Sequence, residues 1–305
     1  MLTLSSLSPQ ALRRRLAHGG VRLRTGAFVA CVTSPIGHVA EGLELLYGDY
    51  PLLADEEFAD FYLNLEPVAG LRRWLRPQVQ VDHDGLRPFQ PLPLNQAFSM
   101  FEWALNWCVS GRAHRYLIIH AAVVEKNGRA AILPAPPGSG KSTLCAALVS
   151  RGWRLLSDEL TLIRLDDGLV TPSPRPISLK NSSIDLIRQY APGTVFSRPV
   201  ADTAKGTIAH MRAPADSVQR DGETALPAWI VFPRYVAGAA PSLIPVPRTR
   251  AFLRVAQNAF NYSLLGADGF RAVGRLTETA ATFDFSYSAL DDAIAVFAQL
   301  ADGHL

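Results

Sequence analysis

The stretch Ala135-Pro136-Pro137-Gly138-Ser139-Gly140-Lys141-Ser142-Thr143 decides the fold. It follows the Walker A pattern, with Ala135 in the place of the first glycine. Gly138 and Gly140 can let successive backbone N–H groups turn inward around phosphate oxygens. A helix opening at the end of the loop adds the positive end of its dipole. Lys141 can reach the β- and γ-phosphates as a mobile point charge, and the Ser142 hydroxyl is placed to ligate Mg²⁺. The expected nucleotide contacts are therefore Pro137, Gly138, Ser139, Gly140, Lys141, Ser142 and Thr143, with ATP and Mg²⁺ as cofactors. A turn that contains Gly-Lys-Ser by chance would lack a strand before it and a helix after it. Here Arg129 to Pro134 reads as an apolar strand, and Leu144 to Ser150 as a helix ended by Gly152.

Working outward, Asn127-Gly128 is a strong hairpin-turn signal, and the β-rich run Tyr116 to Glu125 precedes it. Within that run His120 is read as ending the strand Tyr116 to Ile119. A lone histidine among apolar residues is ordinarily a packed structural one, but a hairpin partner of the loop's strand could lie near a γ-phosphate. Downstream, Trp153 to Leu156 reads as a strand closed by Ser157-Asp158-Glu159, and Leu160 to Leu165 as a further strand turned by Asp167-Gly168. Paired acids beside a triphosphate have two uses. One holds Mg²⁺, and one accepts the proton of an attacking hydroxyl. The expected metal ligands are Ser142, Asp158 and Glu159, and Asp158 is the expected base. Hairpins mixed with a strand–loop–helix unit predict an α/β domain with a mixed sheet rather than a plain βα alternation.

The first third carries shorter signals. Ser8-Pro9 opens a helix bearing Arg13, Arg14 and Arg15. Gly26 to Val32 reads as a strand and Ile36 to Tyr47 as a helix. Phe61 to Leu65 alternates as a strand, and Val79 to Val81 with Asp84-Gly85 suggests a hairpin. After a proline-rich joint comes a strongly apolar helix from about Asn95 to Cys108. These signals divide the chain into an N-terminal α+β segment, 1–94, and a P-loop domain, 95–305, with the apolar helix packing across the boundary.

Composition narrows the function classes. Of 305 residues, 48% are hydrophobic and 19% charged, as in an ordinary globular protein. The net charge of +3 gives no electrostatic support for a nucleic-acid partner. No apolar run approaches a membrane span, and Met1 to Leu16 has no signal-peptide pattern, so a cytoplasmic protein is expected. Cys31, Cys108 and Cys145 are far apart and form no metal-ligand pair. Of the 30 basic residues only Lys126, Lys141, Lys180 and Lys205 are lysine. A retained lysine marks a place where a compact ammonium could do what a planar guanidinium cannot.

Taken together, His120-Ala121, the hairpin, the loop and Arg151-Gly152-Trp153-Arg154-Leu155-Leu156-Ser157-Asp158-Glu159 resemble HPr kinase/phosphorylase in order and spacing. The likeness runs from about His114 to the C-terminus. It is greatest to the divergent branch of HPr-kinase-related kinases (HprK-related kinase A type), which share stretches like Arg175 to Asn181 and Lys205 to His210. The resemblance implies a phosphoenolpyruvate-carboxykinase-like fold. It also implies a kinase that transfers the γ-phosphoryl group to an alcohol: a serine of a protein or peptide, or a small molecule. By position Arg250, in Pro247-Arg248-Thr249-Arg250 before a helix reaching Asn261-Tyr262, resembles the family's phosphate-contacting arginine, with Arg248 one shift away. Lys180 and Lys205 become candidates for gripping the substrate or the γ-phosphate. The catalytic set expected on this basis is Asp158, His120, Arg250, Lys205 and Lys180. Glu159 stands where the family has aspartate. The family signature tied to HPr binding and phosphorolysis is missing, so HPr as acceptor does not carry over, and the reverse, phosphorolytic activity stays only as a third and lesser alternative. Homo-oligomers are common among these relatives. The alternative is a non-catalytic nucleotide-binding regulatory module.

Overall fold

The computed structural model describes residues 2–70 and 72–303. The chain begins with α1 (Pro9–His18), whose Ser8 cap accepts a hydrogen bond from the Ala11 amide at 3.2 Å. Then come β1 (Val21–Thr25), β2 (Phe28–Thr33), α2 (Gly37–Leu46), β3 (Phe61–Pro67), α3 (Arg72–Leu75), β4 (Gln78–Asp82), β5 (Leu92–Pro93) and α4 (Ala97–Arg112). The five strands form one sheet in chain order, with β2 and β3 parallel and the other pairs antiparallel. The single strand expected over Gly26 to Val32 is thus the second arm of a hairpin. Gly26 sits in its turn at φ +64°, where a Cβ would stand 2.3 Å from the Pro172 carbonyl oxygen. The Asp84-Gly85 turn closes only a bridge from His83 to Leu86, and β4 finds its long partner in β3 instead.

The second half continues with β6 (Tyr116–Lys126), β7 (Arg129–Pro134), α5 (Lys141–Ser150), β8 (Arg154–Ser157), β9 (Leu160–Arg164) and β10 (Val170–Thr171). It goes on through β11 (Ile177–Lys180), α6 (Ser182–Tyr190), β12 (Val200–Thr203), β13 (Gly206–Met211) and α7 (Ala215–Gln219). The last elements are β14 (Leu226–Tyr235), β15 (Ser242–Pro245), α8 (Arg248–Asn258), α9 (Tyr262–Leu265), α10 (Ala267–Thr279), β16 (Ala281–Tyr287) and α11 (Leu290–Asp302). The central sheet has the order β10-β9-β6-β7-β14-β16-β15, with β8 also paired to β6. β7, β14 and β16 run parallel and the rest antiparallel, so the chain is a mixed α/β protein. A small sheet β11-β13-β12 stands beside it.

Both faces of the central sheet are covered, which is why its inner strands read as continuous apolar runs. On β6, Ile118, Ala122 and Val124 face the core that holds α5, while Leu117, Ile119, Ala121 and Val123 face the core that holds α8 and α10. The α5-side core runs without a break from Leu4 to Leu300 and so crosses the 94/95 division. α4 is the bridge, packing on α2, β3 and β4. Its one acid, Glu102, is buried and partnered. The Tyr47 hydroxyl donates to Glu102 Oε1 at 2.6 Å, and the guanidinium of buried Arg175 lies 3.5 Å from Oε2. Burial raises the Glu102 carboxyl to about 7, against the pull of Arg175.

The helix α8 stops at Asn258 rather than running on to Asn261-Tyr262. Ala259 bridges to Ile119, and the side chain of buried Asn261 accepts from the Ile118 amide at 2.9 Å and donates to the Tyr116 carbonyl at 2.8 Å. The free edge of β6 is thereby satisfied. Among the described residues no helix is long and apolar enough to cross a membrane.

Candidate active site around the Ala135–Thr143 loop

The parallel strands β7, β14 and β16 end on the same side of the sheet, and the loop crosses their ends. Gly138 and Gly140 both have positive φ, +84° and +91°. The Tyr235 amide donates to the Ser139 carbonyl at 2.9 Å and the Tyr287 hydroxyl to the Gly140 carbonyl at 3.1 Å, fixing the loop from the sheet side. A Cβ at Gly140 would stand 2.6 Å from the Tyr287 oxygen and 3.2 Å from Tyr235 Cβ, whereas one at Gly138 would meet open space. Gly140→Ala combines backbone strain with a clash, and Gly138→Ala carries strain alone, about 1–2 kcal/mol. We expect Gly138→Ala to melt slightly below wild type, and Gly140→Ala to melt lower still and lose at least tenfold in nucleotide affinity. A melting curve and a nucleotide titration on both variants check the order.

Lys141 opens α5 with its side chain largely buried. The Ser142 hydroxyl donates to Asp158 Oδ2 at 3.2 Å, and the Ser178 amide donates to the same oxygen at 3.1 Å. Asp158 is 4% exposed, and its Oδ1 has no partner among the described residues. Burial, then the neighbouring Glu159 charge, push the Asp158 carboxyl up, against Lys141 and the two hydrogen bonds. Glu159 goes the other way. Burial raises it, but the hydrogen bond from His120 and the charges of Lys141 and Lys180 outweigh burial and hold it well below the usual range. His120 Nε2 is 3.5 Å from Glu159 Oε2, and the imidazole is packed 5.7 Å from the Phe260 ring. His120 lies within β6 rather than at a strand end, because the strand continues to Lys126.

Lys180 ends β11, and Lys205 occupies the turn between β12 and β13. Lys205 feels the charges of Glu159, Lys180 and Lys141, so three of the four lysines share one neighbourhood. The ammonium of Lys205 lies 5.5 Å over the Trp103 ring. Two features shape the Lys180 end. Asn181 holds a strained φ of +51°, and its side chain accepts from the Thr207 amide at 3.0 Å.

Arg250 is not brought into this group. Its helix α8 packs through Ala251 and Val255 into the core on the other face of the sheet from α5. α8 also begins beside the start of β16, where the Val246 amide bonds to the Thr282 carbonyl, while the loop lies at that strand's end. Arg250 and Arg248 are both exposed there.

The structure adds residues to which the sequence assigns no role, although Arg175 and His210 lie in the stretches that carry the resemblance. Trp103 and Asn106 from α4, Arg175 before β11 and His210 from β13 line a small cavity with Asp158, Glu159 and Ser178. On its other side His210 also lines a larger groove between α2 and the Val195–Val200 strap. A visible signal was the acid Glu102 inside a largely apolar helix.

Among the described residues no three His, Cys, Asp or Glu side chains cluster to cage a metal. Ser142 with the Asp158 oxygen it meets fits instead a Mg²⁺ ion, which takes few protein ligands and keeps phosphate oxygens and waters.

Residues 95–177, which span α4, the loop and the two acids, match the family described as ScmC: SynChlorMet cassette protein ScmC. No curated protein matches the chain. Among solved structures, the Hpr(Ser) kinase/phosphatase from Coxiella burnetii is similar over 61% of this chain and 95% of its own. The identity is 11% and the TM-score 0.26, a likeness that carries no argument about the site.

Proposed function

We propose that the chain is an ATP- and Mg²⁺-dependent kinase that transfers the γ-phosphoryl group to a hydroxyl acceptor. The observation that carries this reading is the link across the loop. The Ser142 hydroxyl meets one oxygen of a buried Asp158, and the other oxygen is left unpartnered. An acid held this way can serve the metal side with Oδ2 and the acceptor side with Oδ1.

The loop amides and the start of α5 bind the phosphates. Lys141, Lys180 and Lys205 supply positive charge for the transferring group, and Glu159, ionised and paired with His120, keeps those lysines in place. Ser142, Asp158 and Glu159 would hold Mg²⁺, which neutralises phosphate charge when bound. Asp158 takes the acceptor proton. Arg250 has no part in this reading. The division at 94/95 is proposed as a functional one, with α4 belonging to both sides because it reaches the cavity beside Asp158.

The test is a titration of ATP with and without Mg²⁺, followed by ADP release with hydroxyl acceptors. A kinase binds ATP more tightly with Mg²⁺ and releases ADP faster when an alcohol is added. ATP bound without any turnover would make the chain a nucleotide-sensing module.

A further inference from the structure

In the kinase reading, on which the pocket assignment rests, the acceptor hydroxyl must reach the Asp158 oxygen not held by Ser142 and Ser178. Asp158 lines the cavity between α4 and the β11–β13 sheet. Two side chains in its wall are more than nine-tenths buried and carry a polar atom with no partner among the described residues: Asp158 Oδ1 and His210 Nε2. Buried polar atoms left unpaired are destabilising, so two lining one cavity point to a polar ligand between them. The cavity has room for little more than a water molecule. Its walls do not give easily. The His210 ring packs edge-on against Phe98 at 5.4 Å, and Ser178 lies opposite His210 in the β11–β13 register. Trp103 forms the lip, with the Lys205 ammonium over it.

We propose that this cavity is the acceptor pocket, that His210 contacts the acceptor hydroxyl there, and that the pocket takes a primary alcohol (a hydroxymethyl group) and excludes a secondary one. The hydroxyl donates its proton toward Asp158 Oδ1, and its oxygen accepts from His210. Burial lowers the imidazole to about 4, so His210 is neutral at pH 7 and acts as a hydrogen-bond partner without competing for the proton. In the transfer the acceptor oxygen forms a bond to the γ-phosphorus. The bond from that phosphorus to the β–γ bridging oxygen breaks, ADP leaves with the electron pair, and the acceptor proton passes to Asp158. The rest of the acceptor stays outside, between Trp103 and the lysines.

The experiment uses the full chain, Mg²⁺, ATP labelled in the γ-phosphate, and two probes that differ by one methyl group: N-acetylserinamide and N-acetylthreoninamide. An extra methyl in a closed pocket is worth about 10–200-fold in discrimination. We expect kcat/KM at least tenfold higher for the serine amide. His210→Leu should lose at least tenfold in kcat/KM for it, with the ATP Kd unchanged within twofold. His210→Gln, which keeps a donor, should recover most of the loss. Equal labelling of both amides, a His210→Leu enzyme as active as wild type, or a His210→Gln enzyme as poor as His210→Leu would each overturn the proposal. ATP hydrolysis by wild type with neither amide labelled also overturns it. Wild type that neither hydrolyses ATP nor transfers phosphate sinks the kinase reading itself, and the pocket with it.

Discussion

Asp158→Asn is expected to bind ATP within about threefold of wild type and to lose about 10²–10⁴-fold in phosphoryl transfer, the range set by a positioned general base. The shape of the site survives the change. An asparagine carbonyl can still accept from the Ser142 hydroxyl and the Ser178 amide, which now meet Oδ2 at 3.2 and 3.1 Å. What is lost is the proton acceptor at the cavity and one negative charge beside Glu159. That charge is costly in the native state, since burial and Glu159 both oppose it. The variant is therefore expected to melt at or above the wild-type temperature. Unfolding thus cannot account for its loss of activity. The apparent affinity for Mg²⁺ in the presence of ATP should fall, since one of few protein ligands is neutralised. Transfer rates within tenfold of wild type would remove Asp158 as the base. A parallel loss of ATP binding would make it a structural prop of the loop.

What pattern reading captures here is local. The strand–loop–helix unit, the Asn127-Gly128 hairpin and the Ser157-Asp158-Glu159 turn are each set by residues within about twenty positions of one another, and the structure places them together. What it misses is which face of a sheet a later helix covers. Arg250 falls a short way before Asn261, and Asn261 does reach β6, but the helix between them lies on the far side of the sheet from α5. Spacing along the chain carries no information about that choice. The cavity beside Asp158 is similarly non-local, drawing on α4, the Arg175 segment and β13. In sequence Trp103 is one more apolar residue of an apolar helix, and only the register of β11 with β13 brings His210 opposite Ser178. β1 escaped because its alternation, Val21-Arg22-Leu23-Arg24-Thr25, is short, and its buried positions face a core built largely from later residues.

Lys141 gives the second large effect, and the choice of replacement matters more than the loss itself. Lys141 is buried at the first position of α5, and its charge acts on both acids. It opposes the raised Asp158 carboxyl and helps hold Glu159 ionised. Lys141→Met keeps the aliphatic stem and deletes the charge. We expect transfer to fall by at least about 10²–10³-fold, the scale of losing one preorganised group at the developing charge, and ATP affinity to fall as well. Without nucleotide, that variant leaves Asp158 and Glu159 facing each other with less compensation, so it should also melt below wild type, the opposite of Asp158→Asn. Lys141→Arg separates charge from shape. If Lys141 supplied only net positive charge, arginine would restore activity. A planar guanidinium is bulkier and must be met edge-on by its acceptors, and Lys141 is already buried, so the added bulk has little room. Lys141→Arg is therefore expected to recover stability but not transfer. Melting curves and single-turnover rates on the three variants check this directly. An active Lys141→Arg enzyme would show that the site needs a cation near the phosphates without needing this one's geometry, and the task of positioning the γ-phosphate would pass to Lys180 and Lys205.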